Sequence, residues 1–227
     1  MNRNRILFFW EIVSLLPLAA GLTSCSNDDD NYTYPNLLNE FADAATGPSA
    51  RFTHLLTDKG ERLPVVNAGE IATEGVTPDT VYRTMVGYVP VLTEEGTSGA
   101  QIYTLQAIAA PQPQPSSEFA EVKADPLEMQ SIWRGGNYLN LILLVKAQKG
   151  RHTFHFIEDS VTVSASTGHR TLYLRLYHDA NDDVQAYTQK VGLSLPLSGY
   201  SGTLAEGDSI EIRIPTPQGW EPWVRGY

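Results

Sequence analysis

Short apolar segments with a period of two dominate the chain from residue 36 onward and constrain its fold most strongly. The clearest is Thr171 to His178 (TLYLRLYH), where leucine takes every second position in the middle of the segment. Successive side chains of a strand point to opposite faces, so this segment predicts a strand with one buried face. Similar segments are separated by glycine- and proline-containing turns, with no convincing amphipathic helix between them. The sequence therefore predicts a mainly β protein.

Residues 36–110 are predicted to form an OB-like five-stranded barrel. The turn signal Thr57-Asp58-Lys59-Gly60 predicts that the segments on either side of it pair as a hairpin. Gly87 and Pro90 indicate that a later strand bends or lies at the edge of the sheet. Five strands of this spacing fit a small closed barrel. The predicted strands are Asn36 to Ala45, Ala50 to Leu56, Arg62 to Val66, Thr80 to Leu92 and Gln101 to Ala109.

Residues 111–125 are predicted to form a proline-rich linker, and residues 126–227 an antiparallel β-sandwich. Alternating prolines in Pro111 to Pro115 favour an extended spacer, which places the domain boundary there. Tyr138 to Val145 (YLNLILLV) is apolar on both faces and predicts a central strand. Further strands are predicted at 152–158, 161–164, 171–178, 184–194 and 209–215.

Residues 1–24 are predicted to be a lipoprotein signal peptide. Arg3 and Arg5 precede the apolar run Ile6 to Leu22, which contains Glu11 and ends in small residues, as in a secretory signal. The chain's one cysteine, Cys25, follows Leu22-Thr23-Ser24, which resembles the lipobox of bacterial lipoproteins. Acyl chains on Cys25 would attach the mature protein to a membrane. The alternatives are a retained membrane helix and an ordinary cleavage site followed by a free thiol.

Residues 25–35 are predicted to form an acidic tether. The stretch Ser26-Asn27-Asp28-Asp29-Asp30 resembles the tract that follows the lipidated cysteine in surface-exported lipoproteins of Bacteroidetes. This resemblance implies an outer-membrane lipoprotein exposed on the cell surface. Alternatively, the aspartates only keep the tether solvated beside an anionic leaflet, and the protein faces the periplasm.

Segments of the second predicted domain resemble the NigD-like lipoproteins of Bacteroidetes. Ile132 to Asn140 (IWRGGNYLN) is similar to the opening motif of their C-terminal domain, and Leu174 to Asp183 is similar to a later segment. Val191 to Leu197 and Glu211 to Gly219 resemble two further strands, although Asp179 replaces the usual asparagine and Pro196 interrupts a strand. The resemblance implies an OB-like domain followed by a β-sandwich, and it links the family to a suggested bacteriocin-immunity role without a known biochemical activity.

Two groups of residues are candidates for ligand binding. Asp179, Asn181 and Asp183 alternate oxygen ligands as in a calcium loop, although such residues also fill ordinary turns. Trp220 and Trp223 are candidates for stacking against a sugar or peptide, or else they cover the sandwich. His152 and His155 are three apart in a predicted strand and project to opposite faces, so they cannot share a metal. Trp133 is expected to anchor the second domain, and no cofactor is predicted.

The formal net charge of −10 without a basic stripe excludes nucleic acid as a partner, because binding to phosphates depends on lysine and arginine. No enzyme motif is recognisable, so the sequence favours a non-catalytic binding protein whose partner is a protein or a glycan. The alternatives are a surface-tethered hydrolase and a structural or adhesin-like subunit. A pocket with convergent carboxylates or a histidine pair would favour the hydrolase, whereas an unpaired apolar edge strand would favour the subunit.

Overall fold

The computed structural model describes residues 36–227, and this part of the chain is mainly β, as predicted. Its only helices are two 3₁₀ turns, Ser116–Glu118 and Ser198–Tyr200. None of the described residues forms a helix long and apolar enough to cross a membrane. The predicted signal peptide and tether, with Cys25 and Ser26 to Asp30, lie outside the described residues.

The first five strands form one curved sheet that confirms the OB-like barrel. They are β1 (Leu38–Thr46), β2 (Phe52–Thr57), β3 (Arg62–Pro64), β4 (Val81–Leu92) and β5 (Ser98–Ala107), in the order β3-β2-β1-β4-β5. The N–H of Val66 donates to the carbonyl of Ala100 at 3.0 Å, which brings the end of β3 to β5 and partly closes the sheet. Strands β2 and β3 pair as the predicted hairpin. Alternate side chains, among them Leu55, Val86 and Tyr88, fill the interior.

The remaining strands form a β-sandwich, which confirms the second half of the predicted fold. They are β6 (Gln114–Pro115), β7 (Glu128–Gly135), β8 (Tyr138–Ala147), β9 (Thr153–Val163), β10 (Arg170–Asp179), β11 (Tyr187–Pro196), β12 (Ser209–Thr216) and β13 (Gly219–Gly226). A three-stranded sheet, β11-β8-β7, packs on a five-stranded sheet, β13-β12-β10-β9-β6. Leu172, Leu174 and Leu176 are buried between the sheets, as their alternation predicted.

Two strand pairs of the sandwich are parallel rather than antiparallel, namely β10 with β12 and β6 with β9. The first follows from the path of the chain. After β10 the chain crosses to the other sheet as β11, and it then returns to the first sheet as β12 in the direction of β10. Neighbours in one sheet that are joined through a strand of the opposite sheet can therefore run the same way.

Residues 111–125, predicted as a linker, lie along the sandwich. Gln114 pairs with Ile157, so the proline-rich segment adds a short strand to the edge of β9. The ring of Phe119 lies 5.4 Å from the ring of Tyr177 and 5.8 Å from that of His155. This segment therefore covers part of the outer face of the five-stranded sheet.

Candidate binding site between the barrel and the sandwich

The three-stranded sheet of the sandwich has a second buried face, which packs against the barrel. Ala109, just after β5, joins β11 through a hydrogen bond from the N–H of Ser194 to its carbonyl at 3.0 Å. At Gly192 an added Cβ would lie 2.9 Å from Cζ of Phe41 and 3.1 Å from Cγ2 of Ile108. This close approach explains why Tyr138 to Val145 is apolar on both sides, since β8 is covered by the sandwich core and by the barrel.

Arg83 of β4 lies in this interface with its side chain 3% exposed. Its Nη1 donates to Oδ1 of Asp43 at 3.2 Å, and its Nη2 lies 2.7 and 2.9 Å from the two carboxylate oxygens of Asp58. Across the interface, Nη2 donates to Oδ1 of Asn140 at 2.9 Å and Nε donates to Oγ of Ser194 at 3.2 Å. These five residues form the Arg83 network, in which a buried guanidinium joins two barrel carboxylates to two polar side chains of the sandwich.

The polar partners of Arg83 also bond to one another. Nδ2 of Asn140 donates to Oδ2 of Asp58 at 2.7 Å, and Oγ of Ser194 donates to Oδ1 of Asn140 at 2.7 Å. Asn140 and Ser194 are fully buried, so an unpaired amide or hydroxyl here would be costly. The bonds therefore fix the barrel and the sandwich in one relative position.

Tyr138 closes the network beside Asp43. The guanidinium carbon of Arg83 lies 3.9 Å from the centre of the Tyr138 ring, and the Tyr138 hydroxyl donates to Oδ2 of Asp43 at 3.2 Å. Burial raises the pKa of Asp43, although Arg83 opposes the shift. Burial and the neighbouring Asp43 carboxylate raise the pKa of Tyr138 to about 12, which keeps its hydroxyl a donor at neutral pH.

Beside the Arg83 network an open cleft of about 490 Å³ lies between the barrel and the three-stranded sheet of the sandwich. Its apolar wall consists of Phe41, Met85, Trp133 and Ile142, and its charged rim of Glu40, Asp58, Lys59 and Arg134. The rings of Phe41 and Trp133 lie 5.3 Å apart across the junction. Trp133 and Met85 remain 37% and 38% exposed, so the cleft presents an aromatic ring and a flexible thioether to solvent.

Comparisons with known proteins agree with this architecture. A family model described as the NigD-like C-terminal beta sandwich domain matches residues 110–222. The crystal structure of a NigD-like immunity protein from Bacteroides caccae ATCC 43185 is 30% identical, with a TM-score of 0.66, and the match covers 85% of this chain and 94% of that one. The chain belongs to the NigD-like family.

Two more distant structures share the fold alone. A protein of unknown function from Bacteroides vulgatus ATCC 8482 is 14% identical with a TM-score of 0.63, and the match covers 85% of this chain and 91% of that one. A candidate lipoprotein from Bacteroides fragilis NCTC 9343 is 12% identical with a TM-score of 0.58, covering 84% and 97%. No curated protein sequence matches the chain.

The motif through which this chain resembles NigD-like proteins lies at the junction of the two units. Within Ile132 to Asn140, Trp133 contacts Phe41, Tyr138 contacts Arg83 and Asn140 bonds to Asp58. The motif thus places side chains in the Arg83 network and the cleft, and the half-exposed Trp133 ring contacts Phe41 of the barrel. Arg83 itself was not singled out from the sequence, although it is the one charged residue between Thr80 and Leu92 and a charge in a half-buried strand needs a partner.

The predicted calcium ligands lie in the turn after β10. The carboxylate of Asp183 accepts the N–H groups of Gln148 at 2.7 Å and Lys149 at 3.2 Å, and these bonds hold its pKa well below the usual range. The side-chain amide of Asn181 donates to the carbonyl of Arg151, and Oδ1 of Asp179 accepts the N–H of Asn181. Within residues 36–227, no group of three histidine, cysteine, aspartate or glutamate side chains is arranged to bind a metal. Calcium binding stays a prediction.

His152 is paired with His178 rather than with His155. Nδ1 of His152 lies 2.8 Å from Nε2 of His178, and Nδ1 of His178 lies 2.7 Å from the carbonyl of Asp125. Since a carbonyl can only accept, Nδ1 of His178 carries a proton and its Nε2 accepts from His152 in the neutral ring. Sequence spacing could not reveal this pair, because the pairing of β9 with β10 brings the two histidines together.

The burial of His178 predicts lower stability in mild acid. Burial lowers the pKa of His178 from the usual 6.5, and the adjacent His152 adds to this shift. Below about pH 6.5 His178 is protonated in the unfolded chain but stays neutral in the folded protein. The free energy of unfolding should therefore decrease as the pH is lowered. Urea denaturation between about pH 7.5 and pH 5 should show this slope. His178→Asn should reduce it and leave the part that comes from His54 and His155, whose pKa values burial also lowers.

The two candidate stacking residues lie on the edge strand β13. Trp223 packs against the sandwich core, and Trp220 remains 40% exposed. Residues an odd number apart in a strand point to opposite faces, which accounts for the different surroundings of the two rings. Ligand stacking on either ring stays a prediction.

Proposed function

We propose that this NigD-like protein is a lipid-anchored envelope protein that binds a protein partner in the cleft and catalyses no reaction. Attachment through Cys25 and outward exposure through Ser26 to Asp30 rest on the sequence motifs. The observation that carries the binding role is the cleft, where Trp133 and Met85 remain exposed beside a buried network that fixes the two units. Exposed aromatic side chains on a rigid frame are typical of binding sites, because little ordering entropy is lost when a partner covers them.

A protein partner agrees with the description of a related structure. The Bacteroides caccae protein is described as a NigD-like immunity protein. The family link to a bacteriocin makes a protein toxin or a neighbouring envelope protein the favoured partner. The non-aromatic apolar side chains of the cleft, Met85 and Ile142, also suit an apolar side chain of a protein.

The hydrolase alternative has weaker support from the described residues. The cleft carboxylates are already engaged, since Oε1 of Glu40 accepts the Tyr88 hydroxyl at 2.6 Å and Asp58 accepts from Arg83 and Asn140. The histidine pair is buried in the sandwich, and neither ring lines the cleft. General acid–base chemistry needs a group within reach of a substrate. We therefore favour binding over hydrolysis.

Trp133→Ala is expected to weaken partner binding at least tenfold, because a buried interface tryptophan commonly contributes 2 kcal/mol or more (about a thirtyfold change in Kd). The measurement is the amount of partner retained by the variant in affinity capture from intact cells, relative to the amount retained by the wild-type protein. Tyr187→Ala removes an aromatic ring that is 63% exposed on β11 and outside the cleft, and it should leave capture unchanged. Equal capture by wild type and Trp133→Ala would overturn the assignment of the cleft.

Anchoring is tested separately. Cys25→Ser should release the protein from the membrane fraction, because the sulfur is the proposed attachment point. A membrane-impermeant amine reagent should label the wild-type protein on intact cells. If the protein is labelled only after the cells are broken, it faces the periplasm, and this result would contradict surface exposure.

A further inference from the structure

Two cationic side chains, Lys59 and Arg134, lie exposed on the rim of the cleft. Within residues 36–227, no carboxylate forms an ion pair with either of them. The guanidinium carbon of Arg134 lies 4.8 Å from the centre of the Tyr227 ring, and this contact uses the face of the guanidinium rather than its N–H donors. The cleft therefore offers an ammonium group and a guanidinium group to an incoming ligand.

Contact between two turns brings these cations to the same part of the cleft. Lys59 lies in the turn between β2 and β3, and Arg134 lies near the end of β7. An added Cβ on Gly136 would lie 3.5 Å from both Cα and the carbonyl oxygen of Asp58, so the β7–β8 turn packs on the β2–β3 turn. Lys59 follows Asp58 directly, and Arg134 is two residues before Gly136. The barrel thus supplies one cation of the rim and the sandwich supplies the other.

The carboxylates of the cleft are already bonded within the protein. Oδ1 and Oδ2 of Asp58 lie 2.7 and 2.9 Å from Nη2 of Arg83. Glu40 points to the opposite face of β1 from Phe41, toward the barrel interior, where its Oε1 accepts the Tyr88 hydroxyl at 2.6 Å. An incoming cation would have to compete with these bonds, whereas an incoming carboxylate can pair with Lys59 and Arg134.

We propose that the partner presents an acidic segment to the cleft, in which an aspartate or glutamate lies beside an apolar side chain. This inference rests on the proposed function. The apolar side chain covers Trp133 and Met85, and the carboxylate accepts from Lys59 and Arg134, whose guanidinium can bind it through two N–H groups. The formal net charge of −10 repels such a segment from most of the surface, so these two cations also make its binding selective for the cleft.

The test uses the full-length protein, purified in detergent and immobilised, with a phage-displayed library of random short peptides as the probe. The library is depleted on Trp133→Ala and then selected on the wild-type protein, so that the retained peptides depend on the cleft. Relative to the unselected library, we expect the retained peptides to be enriched in aspartate or glutamate close to an aromatic or aliphatic residue. Lysine and arginine should be depleted at the same positions.

A retained peptide is then synthesised with its acidic side chains intact or replaced by amides, and Kd is measured by fluorescence anisotropy. Lys59→Gln and Arg134→Gln should each weaken binding of the acidic peptide about three- to fivefold, as expected for an exposed ion pair. The amide peptide should bind the wild-type protein and both variants alike, because the ion pair is already lost. Lys149→Gln and Arg51→Gln replace exposed cations outside the cleft and should leave Kd unchanged.

Retained peptides that depend on Trp133 but carry no acidic residue, or carry basic residues instead, would overturn this inference and leave the cleft as the proposed binding site. An unchanged Kd in the two cleft variants would also overturn it, and so would losses equal to those of the two controls, because net charge alone would then explain them. If no peptide binds the wild-type protein in preference to Trp133→Ala, the proposed function fails together with this inference.

Discussion

Arg83→Ala is expected to lower the free energy of unfolding by about 3–5 kcal/mol, the usual effect of removing one partner of a buried ion pair. The substitution leaves the carboxylates of Asp43 and Asp58 without their cation, and it removes a donor from both Asn140 and Ser194. Urea denaturation followed by tryptophan fluorescence measures the change. Because the Arg83 network joins the barrel to the sandwich, we also expect one unfolding transition for the wild-type protein and two for the variant.

Arg175→Ala is the matched control for Arg83. Arg175 also binds a carboxylate, since its Nη2 lies 2.7 Å from Oδ1 of Asp159, but the two side chains are 28% and 31% exposed. Water screens such a pair, so its loss should cost less than about 1 kcal/mol. Similar losses for the two variants would show that the Arg83 network contributes no more than a surface ion pair and would contradict its role between the units.

The strands were predictable because their signals are local. The alternation in Thr171 to His178 and the turn at Thr57 to Gly60 depend only on neighbouring residues, and both are confirmed. The two parallel pairs were not predicted, since the direction of β12 beside β10 depends on the path of the chain between two sheets. Likewise, alternating prolines favour an extended backbone in a free spacer and in an edge strand alike, so the sequence did not show that Gln114 pairs with Ile157.

The site was less predictable than the fold because its contacts are distant in sequence. Arg83 reaches Asn140 across 57 residues and Ser194 across 111, and no local pattern records such a pairing. The junction motif was visible as a family resemblance, which drew attention to Trp133 and Asn140 without showing what they contact. The partners supplied by the barrel, Phe41 and Asp58, lie in segments that read as an ordinary strand and turn.

Gly135→Ala is expected to destabilise the protein by about 2–3 kcal/mol, although it adds only one methyl group. A Cβ on Gly135 would lie 2.2 Å from Oδ2 of Asp58 and 2.8 Å from Nδ2 of Asn140, both well inside van der Waals contact. Asp58 must then move away and weaken its bonds to Arg83 and Asn140. Urea denaturation measures the loss, and capture of the partner should also fall because Asp58 and Gly135 line the cleft.

Gly226→Ala separates this close approach from a general cost of replacing glycine in a strand. Gly135 and Gly226 are each the last residue of a strand, but an added Cβ on Gly226 would meet no atom within 4 Å. The control should change stability by less than about 0.5 kcal/mol and leave partner capture intact. If Gly135→Ala proves equally mild, Asp58 can move without loss, and the barrel and sandwich are fixed by apolar contacts such as Phe41 on Gly192 rather than by the Arg83 network. The double variant Gly135→Ala with Arg83→Ala decides between these cases. If both substitutions disrupt the same network, the double variant should lose less stability than the sum of the two single losses. If they act independently, the two losses should add.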